Sequence, residues 1–329
     1  MRVRASIGTA AAIGLERIRV LVEPTTAYLM LHSESHCESN CMFCPQARES
    51  IANTNQLSRV LWPTYDISEI ISNLLEKKTG IKRICIQTVK FDNSTEELYE
   101  IIEMINKTKL SIPITVCSYP MTKTEFLKLK ELGVSRVGIS FDCATPKIFE
   151  KIKGKERKSD LSWNLLEQSL KSAIEVFGNR FVSTHLIIGL GETEKEAVKF
   201  IQHFNNQKIT IGLFAFTPIK NTEMEDYKQP PIDSYRRIQL ARYLIIKELC
   251  SFEKMIFKEK EERITDFGIN KEKIKKIIFS GKPFETTGCP HCNRPFYNES
   301  PGSELYNYPK DLTQEEISKV RSHFLDLIE

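Results

Sequence analysis

Apolar residues recur along the chain in two alternating patterns: short continuous runs and longer stretches with a single apolar face. The short runs, rich in Val, Ile, Leu and Phe, predict buried strands at 27–31, 83–88, 114–117, 137–141, 182–188 and 213–217. Between them, apolar residues three or four positions apart predict helices. Later in the chain the same spacing predicts helices over 163–177, 233–249 and 271–279. Strand–helix units joined by short connections predict parallel strands with right-handed crossovers.

Four predicted helices begin with a capping pair, a Ser or Thr followed three residues later by a Glu. The pairs are Ser94/Glu97, Thr122/Glu125, Thr193/Glu196 and Thr313/Glu316. The last of them precedes a final amphipathic helix.

The alternation predicts an α/β fold, a (β/α) barrel of the TIM type with six to eight parallel strands. The pattern leaves the number open, because the strands near Ile256 and Phe284 are short. The 329 residues fit one barrel with terminal additions. Residues 1–25 are expected to form an N-terminal extension with a short helix over 5–15, residues 26–285 the barrel, and residues 286–329 a C-terminal cysteine-containing segment. We expect the site at the carboxyl ends of the strands.

The composition narrows the function only a little. Apolar residues make up 41% of the chain and charged residues 27%, as in ordinary globular proteins. The 47 basic and 43 acidic residues are too evenly balanced to predict nucleic-acid binding. No segment approaches the length of a membrane span. Nine cysteines without a secretory framework predict a reducing, cytoplasmic location and metal or cluster chemistry.

Three cysteines follow directly on the first apolar run, in a C-x3-C-x2-C pattern formed by Cys37, Cys41 and Cys44. Three thiolates can hold three irons of a four-iron cluster, which leaves the fourth iron open to a small molecule. A zinc knuckle or a structural thiol cluster is the alternative. Zinc sites, however, usually combine two separated pairs of ligands, and no second pair is close by in the sequence.

A second cysteine pair, Cys289 and Cys292, lies in a loop rich in Gly and Pro near the C-terminus. The C-x2-C spacing indicates a metal site, and a four-iron cluster would need two further ligands. Cys85 and Cys117, on the second and third predicted strands, could supply them. Taken singly, each of these two thiols is more often a small core residue. Zinc or a redox dithiol remains the alternative for the C-terminal pair, while Cys143 and Cys250 are expected to lie in the core.

The C-x3-C-x2-C loop, with Phe43 before its last cysteine, resembles the radical S-adenosylmethionine (radical SAM) superfamily. The resemblance implies a four-iron cluster whose open iron binds the amino and carboxylate groups of SAM. An electron from the cluster then cleaves SAM to a 5′-deoxyadenosyl radical.

Further along the chain, Gly189-Leu190-Gly191-Glu192 resembles the superfamily's fifth-strand motif, although His185 replaces its first glycine. His185 is equally compatible with a core and a site position. The segment 216–219 resembles the adenine-binding sixth strand, and Gln87 stands where many members have Gly-Gly-Glu. The implied cofactor-binding residues are Phe43, Gln87, Asp142, Gly189, Gly191, Glu192 and Pro218.

The first five strands, with Cys85 and Cys117, are similar to those of biotin synthases, whose fifth-strand cysteine is replaced here by Ser183. The runs 24–30, 44–50 and 288–298 resemble the archaeal-type lipoyl synthases, which act as two proteins. This resemblance implies sulfur insertion into a protein-bound octanoyl chain, with sulfur taken from a second four-iron cluster.

The same resemblance implies three partners: an octanoylated lipoyl-carrier domain, a homologous second lipoyl synthase protein and a low-potential electron donor. Two alternatives stay open. One is biotin-type sulfur insertion into a free small molecule, and the other is an accessory iron–sulfur subunit.

Overall fold

The computed structural model describes residues 1–299 and 302–328. Its strands are β1 (Arg2–Ala5), β2 (Ala27–Leu31), β3 (Gln56–Leu57), β4 (Val60–Leu61), β5 (Thr64–Asp66), β6 (Ile84–Gln87), β7 (Ile114–Ser118), β8 (Val134–Ile139), β9 (Val182–Ile188), β10 (Thr210–Ala215), β11 (Ile256–Phe257) and β12 (Ile264–Asp266). Its α-helices are α1 (Ile7–Ala12), α2 (Ile67–Glu76), α3 (Ser94–Asn106), α4 (Lys123–Glu131), α5 (Pro146–Ile152), α6 (Trp163–Phe177), α7 (Glu194–Asn206), α8 (Ile232–Ile246), α9 (Lys271–Phe279), α10 (Gln314–Ser322) and α11 (Leu325–Ile328).

Eight strands form the main sheet, in the order β10-β9-β8-β7-β6-β2-β1-β5. The six from β10 to β2 are parallel, as the alternation predicts. β1 and β5 add two antiparallel strands at one edge. The α/β barrel-like fold is therefore confirmed, with six parallel strands.

Three sequence predictions differ from the structure. The strand near Ile256 pairs only with β12, in a hairpin outside the main sheet, and residues 282–284 form a 3-10 turn. The helix expected over 5–15 is limited to α1, and the residues before it form β1 in the main sheet. The N-terminal residues thus extend the sheet, and Val3, Arg4 and Ala5 of β1 are buried beside β2.

The predicted helices are otherwise close to those observed. The helices over 163–177 and 271–279 have the expected bounds, and the one expected over 233–249 is α8. Three of the four predicted capping boxes are present, at the starts of α4, α7 and α10. The prediction for Ser94/Glu97 is wrong, because α3 is capped one residue earlier, at Asn93, which has left-handed backbone and no side-chain cap bond. No helix in the described part of the chain has both the length and the apolar character needed to cross a membrane.

The strands bury different side chains on their two faces because side chains alternate along a strand. Ala27, Leu29 and Leu31 of β2 pack into the large core that the strands share with the helices. Tyr28 and Met30 point to the other face and belong to a small cluster inside the barrel. This interior cluster also contains Cys37, Val60, Trp62, Val89 and Tyr297.

Residues 285–299, called the closing segment below, run along the open side of the barrel. On one side the segment is attached to β10. The amide of Leu213 donates to Thr287 Oγ1 over 2.8 Å, and Asn298 Nδ2 donates to the Ala215 carbonyl over 2.8 Å. These two bonds seat the segment against the last parallel strand.

On its other side the closing segment is attached to the β2 end of the sheet. The Arg294 amide donates to the Tyr28 hydroxyl over 2.9 Å, and the Thr26 hydroxyl donates to the His291 carbonyl over 2.7 Å. Further along the closing segment, Ser58 Oγ donates to the Tyr297 carbonyl over 2.8 Å. The segment therefore fills the gap that six parallel strands leave in the barrel wall.

Candidate functional site

A cavity of about 290 Å³ lies inside the barrel. Seven of the nine cysteines line it: Cys37, Cys41, Cys44, Cys85, Cys117, Cys289 and Cys292. The other two, Cys143 and Cys250, are buried elsewhere. The structure thus brings every cysteine predicted as a metal ligand to one cavity and leaves out the two predicted as core.

The first cysteine group (Cys37, Cys41 and Cys44) lies on the loop after β2. Backbone bonds from Cys37 to the Gln46 carbonyl (2.8 Å) and from Cys44 to the Cys41 carbonyl (3.0 Å) fold the loop back on itself. Arg4 of β1 donates to Gln46 Oε1 over 2.9 Å. This anchor ties the loop to the edge of the sheet and turns its thiols towards the barrel interior.

The thiols of the first group lie in a water-poor environment. Tyr119 OH is 2.7 Å from Cys37 Sγ. Burial raises the pKa of Cys41 to about 11 and raises the pKa of Cys44 further. Thiolates at these positions therefore need a positive charge beside them, which the irons of a cluster would provide. The donor set fits a four-iron cluster held by three cysteines.

Asp142 lies beside the first group, after β8, in the left-handed region with φ of 64°. Its amide donates to the His185 carbonyl over 3.0 Å. Lys153 Nζ, a residue that the sequence reasoning missed, is 2.6 Å from Asp142 Oδ2. Burial alone would lower the pKa of Lys153, but the attraction of the Asp142 carboxylate opposes this effect, and the pKa of Lys153 is raised. The two side chains form a buried ion pair with no net charge, called the neutral pair below.

The second cysteine group comprises Cys85, Cys117, Cys289 and Cys292. The sulfurs of Cys85 and Cys117, on neighbouring strands, are 3.9 Å apart. Contact with Cys117 and burial raise the pKa of Cys85, and the nearby charges of Cys289 and Cys292 raise it further. Four thiols from β6, β7 and the closing segment are therefore neighbours.

The two groups lie at different levels of the barrel. The first is at the carboxyl end of β2, as expected. The second reaches the amino ends, because the closing segment carries Cys289 and Cys292 past residues that precede the strands. Arg83, just before β6, donates to the Pro290 carbonyl over 3.1 Å. The expectation that the whole site lies at the carboxyl ends is therefore wrong for Cys289 and Cys292, whereas Cys117 lies near the carboxyl end of β7.

Two glycines lie closely against the thiols of the second group. A Cβ on Gly138 would lie 3.3 Å from Cys117 Sγ and 2.9 Å from Ser183 Oγ. A Cβ on Gly288 would lie 3.3 Å from Cys292 Sγ. A larger side chain at either position would therefore crowd a thiol of the second group.

Within residues 1–299 and 302–328, no three His, Cys, Asp or Glu side chains converge as ligands of a single metal ion. A structural zinc needs four ligands at about 2.0 to 2.3 Å from one centre. A four-iron cluster binds each thiolate through a different iron and accepts more widely spaced ligands. The cysteine arrangement fits clusters better than a single ion.

The remaining predicted cofactor residues divide between cavity and periphery. Phe43, Gln87 and Asp142 line the cavity, and Gln87 Nε2 donates to Cys85 Sγ over 3.1 Å. His185, left undecided by the sequence, also lines it, and its Nδ1 is 2.8 Å from Ser140 Oγ.

Gly189, Gly191, Glu192 and Pro218 are outside the residues that line the cavity. The Glu192 carboxylate accepts from the amides of Gly189 (2.6 Å) and Leu190 (3.0 Å), which closes the turn after β9. Burial raises the pKa of Glu192 to about 7. Phe216 and Thr217 line the cavity next to Pro218. A cofactor contact by these four residues stays a prediction.

Sequence reasoning also missed the aromatic and cationic side chains around the second group. Tyr28 OH is 3.6 Å from Cys292 Sγ, and Arg294 Nη1 is 3.7 Å from the same sulfur. The position of Tyr28 could have been predicted from the alternation of side chains along β2 and β6. This alternation places Tyr28 and Cys85 on the same inward face of the sheet.

The sequence of residues 35–204 matches the profile of the Radical SAM superfamily. The chain belongs to the radical SAM superfamily. The match begins just before the first cysteine group and covers β6 to β9. Membership implies a four-iron cluster that binds SAM, and the first cysteine group provides the residues for it.

Among characterised proteins, the chain is similar to the biotin synthase of Hydrogenobaculum sp. (strain Y04AAS1). The two are 26% identical over 217 residues, which cover 63% of this chain and 61% of that protein.

Among solved structures, methylornithine synthase (PylB) has a TM-score of 0.52 at 13% identity, covering 73% of this chain and 65% of that one. The FeFe-hydrogenase maturase HydG from Carboxydothermus hydrogenoformans has a TM-score of 0.52 at 20% identity, covering 68% and 51%. At these identities the structures show the fold alone. The chain spans less than two thirds of the length of each of these relatives.

Proposed function

We propose that this radical SAM protein inserts sulfur into a protein-bound octanoyl chain, as a lipoyl synthase that works with a homologous partner protein. One observation carries the proposal: two cysteine groups, sufficient for two clusters, open onto the same cavity. A substrate held between them would meet both. When bound, the first cluster with SAM would supply a deoxyadenosyl radical, and the second cluster would supply sulfide.

The chain's own residues are suited to holding an unreactive acyl chain. Met30, Trp62, Ile187, Phe214 and Phe216 line the cavity with apolar surface. Such a surface binds a methylene chain and keeps water away from reactive intermediates. The protein's part would be to position the reactants, while the cofactors provide the chemistry.

A substrate attached to a carrier domain must enter from the end of the barrel away from Cys289 and Cys292. The carboxyl ends of the strands, next to the first group, are that end. We therefore propose that the carrier domain docks there. A low-potential electron donor and the homologous partner complete the proposed set of interacting proteins.

The test is an anaerobic incubation of the reconstituted protein with an octanoylated carrier, SAM and reductant, followed by mass spectrometry of the carrier. The proposal expects sulfur in the octanoyl chain, with complete dithiolation only when the homologous partner is added. The Cys143→Ala/Cys250→Ala variant is the matched control and should behave like the wild type. Full dithiolation without a second protein would refute the need for a partner.

A second candidate is biotin-type sulfur insertion into a free small molecule. The similarity to the Hydrogenobaculum biotin synthase favours it. Ser183 counts against it, because this residue lines the cavity where biotin synthases, by resemblance, would have a third strand cysteine. Sulfur insertion into dethiobiotin, with an unmodified octanoylated carrier, would support this candidate. Deoxyadenosine formation without sulfur transfer to either would favour an accessory role.

A further inference from the structure

Three arginines surround the second cysteine group. Arg294 Nη1 is 3.7 Å from Cys292 Sγ. Arg83 lines the same cavity as the four thiols and donates to the Pro290 carbonyl, next to Cys289. The Arg136 side chain contacts the Cys289 thiol. Positive charge thus approaches the group from β6, β8 and the closing segment.

The three guanidinium groups have neutral hydrogen-bond partners. Arg294 donates to the carbonyls of Thr287 (2.8 Å) and Leu213 (3.3 Å). Arg83 donates to Thr115 Oγ1 over 2.8 Å, and Arg136 donates to Thr210 Oγ1 over 3.0 Å.

The ion pairs of the described residues use other cations, such as Lys153 and Arg237. Within the described ranges, none of the three arginines has a carboxylate partner. Arg83 and Arg136 are only 7% and 8% exposed, and a buried charge without a counter-charge is unfavourable. Their negative counterpart is therefore expected to be the occupied cysteine group itself.

The first group differs in this respect. The charged pair beside it, Asp142 and Lys153, is internally neutral. Any occupant of the second group would therefore experience a more positive surrounding than an occupant of the first. A positive surrounding stabilises the more negative, reduced state of a redox centre, and hydrogen bonds to the sulfurs act in the same direction.

We propose that Arg294, with Arg83 and Arg136, acts as a set of positioning residues that stabilises the reduced state of the second site. The proposal rests on the proposed function, because it concerns the cluster assigned there. If a substrate carbon radical bonded to a sulfide held at this site, the carbon would contribute one electron to the bond and the sulfide one, and the group held there would keep the other electron of the sulfide pair. The three arginines would stabilise that additional negative charge and would make the second site easier to reduce than the first.

The experiment is a potentiometric titration followed by electron paramagnetic resonance on anaerobically reconstituted protein, with iron and sulfide measured on each sample. Arg294→Gln should shift the midpoint potential of the second cluster to a more negative value and leave that of the first unchanged. Arg294→Lys, which keeps the charge, should have a midpoint potential close to that of the wild type. Arg242→Gln is the matched control, since Arg242 also donates to a β10 carbonyl, that of Ile211 (2.9 Å), without contacting a thiol.

The outcomes separate the inference from the proposed function. A negative shift in Arg294→Gln alone supports the inference. Equal potentials in Arg294→Gln and Arg242→Gln, with iron retained, overturn it. If Arg294→Gln loses iron, the same titration is made on Arg136→Gln. A negative shift in that variant supports the inference, and a potential equal to that of Arg242→Gln overturns it. A wild-type protein with one cluster only would overturn the two-cluster assignment first, and the inference with it.

Discussion

The two cysteine groups reach one cavity by different routes through the chain. Cys37, Cys41 and Cys44 lie on a single loop after β2, which one buried arginine, Arg4, fastens to the neighbouring strand. The second group is assembled from β6, β7 and the closing segment. Its thiols become neighbours only after the sheet has formed and the C-terminal residues have filled the open side of the barrel.

This difference has consequences for charge and for stability. A loop can be built around one cofactor with few demands on the rest of the protein. A group assembled from distant segments depends on strand register, on small residues at fixed positions and on the docking of the closing segment. It also lies among three arginines without carboxylate partners in the described ranges, whereas the first group has the neutral Asp142–Lys153 pair beside it.

The largest effect is expected when the first cysteine group is removed. Replacing Cys37, Cys41 and Cys44 together by Ala should abolish reductive cleavage of SAM, because no iron with an open position would remain. Deoxyadenosine formed with dithionite and SAM, measured by chromatography, is the readout. The Cys143→Ala/Cys250→Ala variant should keep wild-type rates. Unchanged deoxyadenosine production by the triple variant would mean that SAM is cleaved elsewhere.

The neutral pair beside the first group can be broken from one side. Lys153→Met should lower the free energy of unfolding by about 3–5 kcal/mol, because it leaves the Asp142 carboxylate buried without its partner. Denaturant titration is the measurement. In the double variant Lys153→Met/Asp142→Asn no charge is left behind, so much of the stability should return. Equal losses in the two variants would show that charge compensation is not the cause.

A smaller effect is expected at the glycine beside the second group. Gly138→Ala should cost about 1–3 kcal/mol, as overpacking typically does, because its Cβ would lie 2.9 Å from Ser183 Oγ. Since the same Cβ crowds Cys117, iron at the second site should fall while SAM cleavage continues. Gly80→Ala, where the added Cβ meets nothing within 4 Å, is the control. Normal iron content in Gly138→Ala would show that the site has more room than the structure indicates.

The two cysteine groups also differ in how far the sequence alone predicts them. The six parallel strands and the capped helices were predictable, because they depend on local periodicity and on residues three positions apart. The first cysteine group was predictable for the same reason. The pairing of Cys85 and Cys117 with the C-terminal cysteines could be suggested only as a possible ligand set, since it depends on contacts between distant segments.

Other features were beyond local reasoning. Nothing in the sequence around Arg2–Ala5 indicates a strand that pairs with β2, because its partners are far along the chain. Arg83 and Arg294 resemble many other arginines until the fold brings them to the same thiols. Glu192 occupies a recognisable motif, yet in the structure its carboxylate closes a backbone turn.

Metal analysis of the Cys289→Ala/Cys292→Ala variant tests most directly whether one cavity holds two clusters. Iron, zinc and deoxyadenosine are measured on the same anaerobically reconstituted sample. We expect iron to fall from about eight to about four per chain, with no zinc in the wild type and with SAM cleavage retained, since a four-iron cluster that loses half its cysteines is lost. Retention of about eight irons, or zinc that disappears with the two cysteines, would show that Cys289 and Cys292 do not hold a second cluster.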